Sequence, residues 1–157
     1  MGLSSMHPPK TAEEAYDFCV SENHIFPLSE IDLARVHSNM LLAKELLECA
    51  QDNIVKKRWN AGFISSYDVL HLFVESLLIF NKVKSRNHQC LFTFLCVKHP
   101  ELELDWDFFE RVRTKRNGLH YYGMLMIEKE WKTLELQLNL YISTLKKEVE
   151  NKLKEKP

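Results

Sequence analysis

Residues that break helices are scarce in this chain, which has only four glycines and five prolines in 157 residues. Between them, apolar residues recur at steps of three and four, the spacing of one face of an α-helix, and not at the alternate positions of a strand. The pattern therefore predicts an all-α protein. Because most connections between the helical segments are short, we expect an antiparallel up-and-down bundle of about four long helices with one or two short ones.

Capping signals bound the first two predicted helices. The first runs from Thr11 to about Glu22, because TAEE at its start has the Thr-x-x-Glu pattern of a capping box, and Pro27 ends that stretch. A long second helix starts near Ser29, with SEID as its cap and first turn, and ends before Gly62. Its predicted buried face consists of Leu33, Val36, Met40, Leu41, Ala43, Leu47 and Ala50.

Apolar runs and their breaks predict four more helices. FISSYDVLHLFVESLLIFNKV is apolar around most of its circumference, which is typical of the core helix of a bundle. After the polar turn KSRNHQ, CLFTFLCVKH forms a fourth helix that Pro100 closes. LDWDFFERVRTKRNGLHYY forms a fifth, with Asp105 or Asp107 near its start, and Gly123 interrupts it. The last, about Leu125 to Lys152, has its apolar face at Ile127, Trp131, Leu134, Leu138, Tyr141 and Leu145.

Size and charge set the outer bounds on function. A chain of 157 residues fits one domain, and we expect a short helix and linker over residues 1–28, then the bundle with a solvated tail over residues 29–157. Hydrophobic residues at 45% and charged residues at 27% are typical of a soluble globular protein. The formal net charge of -1 gives no overall attraction to nucleic acid, so any nucleic-acid site must be local.

The sequence favours a cytoplasmic location. MGLSSMHPPK lacks the basic start and apolar run of a secretory signal, and it does not match a myristoylation motif. The apolar stretch VLHLFVESLLIF is interrupted by His71 and Glu75, and we expect it to be too short for a bilayer, which requires about 20 residues. Without a signal peptide, we expect the four cysteines to stay reduced: Cys19, Cys49, Cys90 and Cys96.

The most interactive side chains are concentrated in RVRTKRNGLHYYG, residues 111–123. Arg113, Arg116 and His120 stand at i, i+3 and i+7, so a helix places them on one stripe, with Asn117 beside them. Guanidinium groups hold phosphate oxygens, and histidine transfers protons near neutral pH. The stripe has the groups for metal-free cleavage of RNA, whose 2′-hydroxyl is an internal nucleophile, although a solvated basic face is the commoner origin of such a pattern.

The same run resembles the signature of the HEPN domain (higher eukaryotes and prokaryotes nucleotide-binding), an all-α domain whose motif is an Arg, four to six residues, then a His. Here Arg113 and His120 enclose TKRNGL. HYY matches the Arg…His-x-Tyr form of HEPN toxins that pair with small nucleotidyltransferase antitoxins, and Tyr122 is the matching tyrosine.

The resemblance covers about residues 29–145. ARVHSNMLLAKELLECA, SSYDVLHLFVESLLIF and KVKSRNHQCLF follow the family's order of two long helices and a Lys-Ser-x-x-His turn, and His88 is the turn histidine. Two departures concern the motif. Thr114 follows Arg113 where many members have a polar residue, often Asn, and the Arg-Asn pair of this chain is Arg116-Asn117. Which arginine acts on the substrate is therefore left open.

The resemblance implies a metal-independent endoribonuclease that needs no cofactor and builds its site from two motif copies across a homodimer interface. It implies that His120 is a general acid or base and that Arg113 stabilises the phosphate, with Arg116 and Asn117 assisting. Tyr121 and Tyr122 are candidates for base stacking. A nucleotidyltransferase antitoxin would silence such a toxin by modifying Tyr122. The alternative is a non-catalytic HEPN module that dimerises, binds a nucleotide or docks a nucleotidyltransferase.

Two further groups of polar residues are weaker candidates. His88, Cys90, Cys96 and His99 lie close in sequence, but C-x5-C is not a zinc-ligand spacing, so no metal site is expected. Asp68, His71 and Glu75 share one face of the third helix and are predicted to be exposed or internally hydrogen-bonded, with orientation of the catalytic residues as the alternative.

Overall fold

The protein is an all-α bundle in a computed structural model that describes residues 11–155. Residues 1–10, where the sequence predicts no targeting signal, and residues 156–157 lie outside the described part. The predicted fold class is confirmed. The six helices are α1 Ala12–Ser21, α2 Leu33–Val55, α3 Trp59–Phe80, α4 His88–Lys98, α5 Trp106–Tyr122 and α6 Glu128–Glu155, and a 3₁₀ turn Pro100–Leu102 separates α4 from α5.

Side-chain caps set where the helices begin. The Thr11 hydroxyl accepts a bond from the Glu14 amide at 3.1 Å, as the TAEE pattern predicts. The second helix begins at Leu33, later than predicted, because the Asp32 carboxylate caps it. Of the two aspartates considered for α5, Asp105 is the cap.

The central helix α3 packs against α2, α4, α5 and α6, and the sequence correctly marks it as the core helix. Its start differs from the prediction. Gly62 lies inside its first turn, since α3 begins at Trp59. A Cβ at position 62 would overlap the Ile54 side chain on α2, so the absence of a side chain at Gly62 lets the two helices approach closely.

Replacing Gly62 with valine is expected to destabilise the fold by about 1–2 kcal/mol, because Ile54 is β-branched and has few rotamers in which to move aside. The measurement is the free energy of unfolding in urea. Ala61→Val, one residue earlier at an exposed position, is the matched control and should cost only a few tenths of a kcal/mol from helix propensity. Equal losses in the two variants would contradict the close approach at Gly62.

Two residues of the predicted apolar faces are exposed. Leu41 is 69% exposed because α2 is covered along a narrow stripe that includes Val36, Ala43 and Ala50, and Leu41 lies outside it. Ile127 is 58% exposed because it precedes the first turn of α6, and the residue before it, Met126, is buried instead. The remaining predicted positions of the α6 face are buried.

A small antiparallel strand pair was not predicted. β1 Ile25–Pro27 pairs with β2 Val83–Ser85, so Pro27 ends a strand and part of the KSRNHQ turn is extended. Three residues per strand are too few to show an alternating pattern. The pairing ties the linker after α1 to the connection that leads into α4.

The expectation that all four cysteines stay reduced is wrong for two of them. Cys19 on α1 and Cys90 on α4 form a disulfide, while Cys49 and Cys96 are free. The pair is 71 residues apart in sequence, and only the packing of α1 on α4 brings the two thiols together. Thr93 also donates a hydrogen bond to the Ala12 carbonyl across the same contact. The cysteines therefore no longer favour a cytoplasmic location.

Helix α3 is 22 residues long and apolar enough, by length and composition, to cross a membrane, so the expectation that the apolar stretch is too short does not hold for the helix. Within its most apolar window, 67% is buried inside the bundle. The core helix of a soluble protein has the same length and composition, so this feature is weak evidence for a membrane span.

Candidate functional site

Helix α5 carries the basic stripe with its residues in different environments. Phe109 and Val112 bury one side of the helix in the core, and Arg113 and Arg116 lie half-buried at the edge of that contact. Asn117 is also half-buried, whereas His120 is exposed one turn further on. The helix therefore presents the predicted residues from the core margin outward to solvent.

Arg113 is held by a carboxylate of its own helix. Its Nε and Nη2 donate to the two oxygens of Glu110 at 2.8 and 3.0 Å, and both side chains are about one-fifth exposed. Gln89, on the first turn of α4, donates to Glu110 at 3.0 Å. This three-residue network fixes the Arg113 guanidinium and joins α5 to α4.

Arg116 faces α3 and has different neighbours. Its Cζ lies 5.6 Å from the ring centroid of Tyr67, in cation–π range. Its Nε is buried and has no hydrogen-bond partner among the described residues. Burial raises the pKa of Asp68, while the Arg116 and His120 charges act in the opposite direction. The third helix thus contributes an aromatic ring and a carboxyl group to the surroundings of Arg116.

Two histidines line the same contact as neutral imidazoles. The His71 and His88 ring centroids are 4.1 Å apart. Burial, and then the Arg116 charge, lowers the pKa of His71 to about 4. For His88, burial, then His71 and then Arg116 lower the pKa to about 4. Both rings are uncharged at pH 7, so Arg116 lies beside a histidine pair that does not repel it.

A buried tyrosine anchors this pair. The Tyr67 hydroxyl lies 2.9 Å from His88 Nδ1, and burial raises the pKa of Tyr67, so the phenol stays protonated and can donate to that nitrogen. Glu75, grouped with Asp68 and His71 by spacing, points elsewhere, since it accepts hydrogen bonds from Arg35 and Asn39 on α2. His71 therefore packs in this cluster and the pKa of Asp68 is affected by the Arg116 charge, whereas Glu75 pairs with α2.

The two motif tyrosines lie at the end of α5. Tyr121 and Tyr122 are 69% and 77% exposed, just before Gly123 ends the helix in the left-handed conformation. Three apolar side chains that follow are also exposed: Met124, Leu125 and Ile127. Apart from the buried Met126, the segment 121–127 is accordingly an exposed, largely apolar surface next to His120.

Of the four residues that raised the question of a metal site, Cys96 is a free cysteine and the other three have separate partners. Cys90 is in the disulfide, His88 contacts Tyr67, and His99 contacts Asn81 and Glu101. Within residues 11–155, no group of three or more His, Cys, Asp and Glu is placed to hold a metal ion.

Sequence reasoning missed Tyr67, Gln89 and Glu110 as members of the site. Glu110 could have been found, because it stands three residues before Arg113 on the same helix and such pairs face each other. Tyr67 and Gln89 come from other helices, and only the packing of α3, α4 and α5 brings them to the motif.

These residues form a basic, histidine-bearing face on an all-α bundle, and this face lies over a buried polar cluster. No family model, no curated protein and no solved structure matches this chain.

Proposed function

We propose that the protein is a metal-independent, HEPN-type endoribonuclease that acts as a homodimer and a toxin. The observation that carries the proposal is the α5 stripe, in which two arginines border an exposed His120 and neutral histidines lie beneath Arg116. Guanidinium groups bind phosphate and stabilise the charge that grows on it, and an exposed imidazole transfers protons at neutral pH.

The chemistry follows from these groups. A base removes the proton of a 2′-hydroxyl, whose oxygen attacks the adjacent phosphorus. The bond to the 5′-oxygen breaks, an acid protonates that oxygen, and the products carry a 2′,3′-cyclic phosphate and a 5′-hydroxyl. His120 supplies the base or the acid, one of the two arginines of the stripe, Arg113 or Arg116, holds the phosphate, and Asn117 assists. A twofold axis that brings two α5 stripes together would supply the second His120.

The proposal extends to the partners of the protein. Tyr121 and Tyr122 are exposed, which suits base stacking on single-stranded RNA. Exposure also makes the Tyr122 hydroxyl accessible to a nucleotidyltransferase antitoxin, and a nucleotide added there would place negative charge near the arginines and repel RNA phosphate. We propose a cytoplasmic location, since that is where such RNA and such a partner would be found.

Changing His120 to alanine is expected to lower the rate of RNA cleavage by about 10²–10⁴-fold, the usual contribution of a general acid or base. The measurement is cleavage of a mixed RNA pool by the purified full chain in excess chelator. His37→Ala removes an exposed histidine from α2 and is the matched control, which should cut like the wild type. Folding and dimerisation are checked for each protein. Equal rates for the two variants would contradict the role of His120.

A second candidate function is supported by the exposed segment 121–127. Five of its side chains are large, apolar or aromatic, and exposed, which is typical of a surface that contacts a partner. A non-catalytic HEPN module that dimerises, or that docks a nucleotidyltransferase while its basic face binds a nucleotide, would use this surface. A well-folded wild-type dimer that does not cut RNA would favour this second function.

A further inference from the structure

The two arginines of the stripe differ in how their charges are compensated. Arg113 makes two hydrogen bonds to Glu110, and Gln89 holds the same carboxylate from α4. A substrate phosphate would have to compete with a carboxylate that already has good bidentate geometry. Arg113 is thus occupied before any substrate arrives.

Arg116 differs from Arg113 in this respect. None of the ion pairs formed within residues 11–155 involves it, and its buried Nε lacks a hydrogen-bond acceptor there. Leaving a buried donor unsatisfied is unfavourable, and an acceptor that reached it would relieve that cost. Partial burial against the Tyr67 ring also weakens the competition from water for its charge.

The neighbours of Arg116 leave its charge largely uncompensated. Tyr67, His71 and His88 are all neutral at pH 7. Burial raises the pKa of Asp68 and the Arg116 charge lowers it, but within residues 11–155 the two side chains form no ion pair. An anion placed at Arg116 would therefore meet a cation in a partly dry, largely neutral setting.

We infer that Arg116 is the arginine that binds the substrate phosphate, and that Arg113 is a positioning residue that fixes α5 against α4 through Glu110. The inference rests on the proposed function and names the phosphate ligand of that site. It reverses the assignment implied by the motif spacing. In that assignment Arg113 and His120 are the motif pair, and Arg113 is the phosphate ligand.

The test is binding of a single-stranded RNA oligonucleotide whose 2′-hydroxyls are all methylated, so that it cannot be cut, at several salt concentrations. Replacing Arg116 with glutamine should weaken binding about tenfold. It should also reduce the slope of log K against log salt by about 0.7 for each phosphate that the protein no longer neutralises. Arg116→Lys keeps the charge and should restore most of the slope, which a purely structural role would not produce.

Arg113→Gln is the matched control, since it removes an arginine one turn away. It should lower the free energy of unfolding and leave the salt slope unchanged. A lower slope in Arg113→Gln together with a wild-type slope in Arg116→Gln would overturn the inference.

Parallel incubation of the same proteins with unmodified RNA separates this inference from the ribonuclease proposal. RNA that is bound through Arg116 but never cut would overturn the ribonuclease and leave the Arg116 assignment standing. Cleavage by the wild type, together with undiminished RNA binding by Arg116→Gln, would overturn the Arg116 assignment and leave the ribonuclease proposal standing. A wild-type protein that neither binds nor cuts RNA would overturn both.

Discussion

Lowering the pH from 6.5 to 4 is expected to remove about 3 kcal/mol of folding free energy through His71 and His88. Both groups titrate at about 4 in the folded chain and at 6.5 in an ordinary setting. Between these values the unfolded chain binds protons that the folded chain does not, so stability rises with pH across this window and levels off above 6.5. The figure is reduced from the full linkage value because His88 is partly exposed and the two rings interact.

The measurement is urea denaturation at steps between pH 4.5 and pH 7. His71→Gln should lose the part of the slope that comes from one proton, about 1 kcal/mol per pH unit. His37→Gln, at an exposed position on α2, should keep the full slope. Asp68 titrates in the opposite sense because its pKa is raised, but it is present in all three proteins and cancels in the comparison. A slope that His71→Gln leaves unchanged would show that folding does not lower the pKa of His71.

Replacing Phe109 with alanine is expected to destabilise the protein by about 3–5 kcal/mol, the usual cost of removing a phenylalanine from a core. Phe109 is fully buried and stacks on Phe92 of α4 with ring centroids 4.8 Å apart. It also contacts Tyr141 of α6 at 5.4 Å. Its position one turn before Arg113 means that its loss loosens the helix that carries the site.

Thermal and urea unfolding measure this effect. Phe18→Ala is the matched control, because the Phe18 side chain on α1 is 52% exposed, and it should change stability by no more than about 0.5 kcal/mol. Phe109→Leu keeps most of the buried volume and should fall between the two. Losses of equal size at positions 109 and 18 would contradict the packing of α5 on α4 and α6.

Local signals in the sequence were enough to predict the helices. Thr11, Asp105 and Gly123 act through neighbours one turn away or less, so their caps can be read without a fold. The exposure of Leu41 and Ile127 could not be read in the same way. Which apolar residues a helix buries depends on the width and position of the surface that covers it, and that surface belongs to other helices.

In the candidate site too, local spacing predicts some features, and others depend on tertiary packing. Spacing predicts that Arg113, Arg116 and His120 share a stripe, since all three are on α5. The difference between Arg113 and Arg116 arises partly from Glu110, three residues before Arg113, and partly from Gln89 on α4 and Tyr67 on α3, which are distant in sequence. The Cys19–Cys90 disulfide was missed for the same reason. Periodicity does not encode tertiary contacts, which contribute to the different surroundings of the stripe residues.

We propose that the α5 stripe cleaves RNA through its 2′-hydroxyl without a metal. The most direct test is incubation of the purified wild-type protein with RNA and DNA oligonucleotides of one sequence in excess chelator, followed by identification of the product ends. We predict that the RNA is cut, with 2′,3′-cyclic phosphate and 5′-hydroxyl ends, and that the DNA stays intact. Equal cleavage of the RNA and the DNA, cleavage of RNA only after a metal is added, or no cleavage by the folded protein would contradict this proposal.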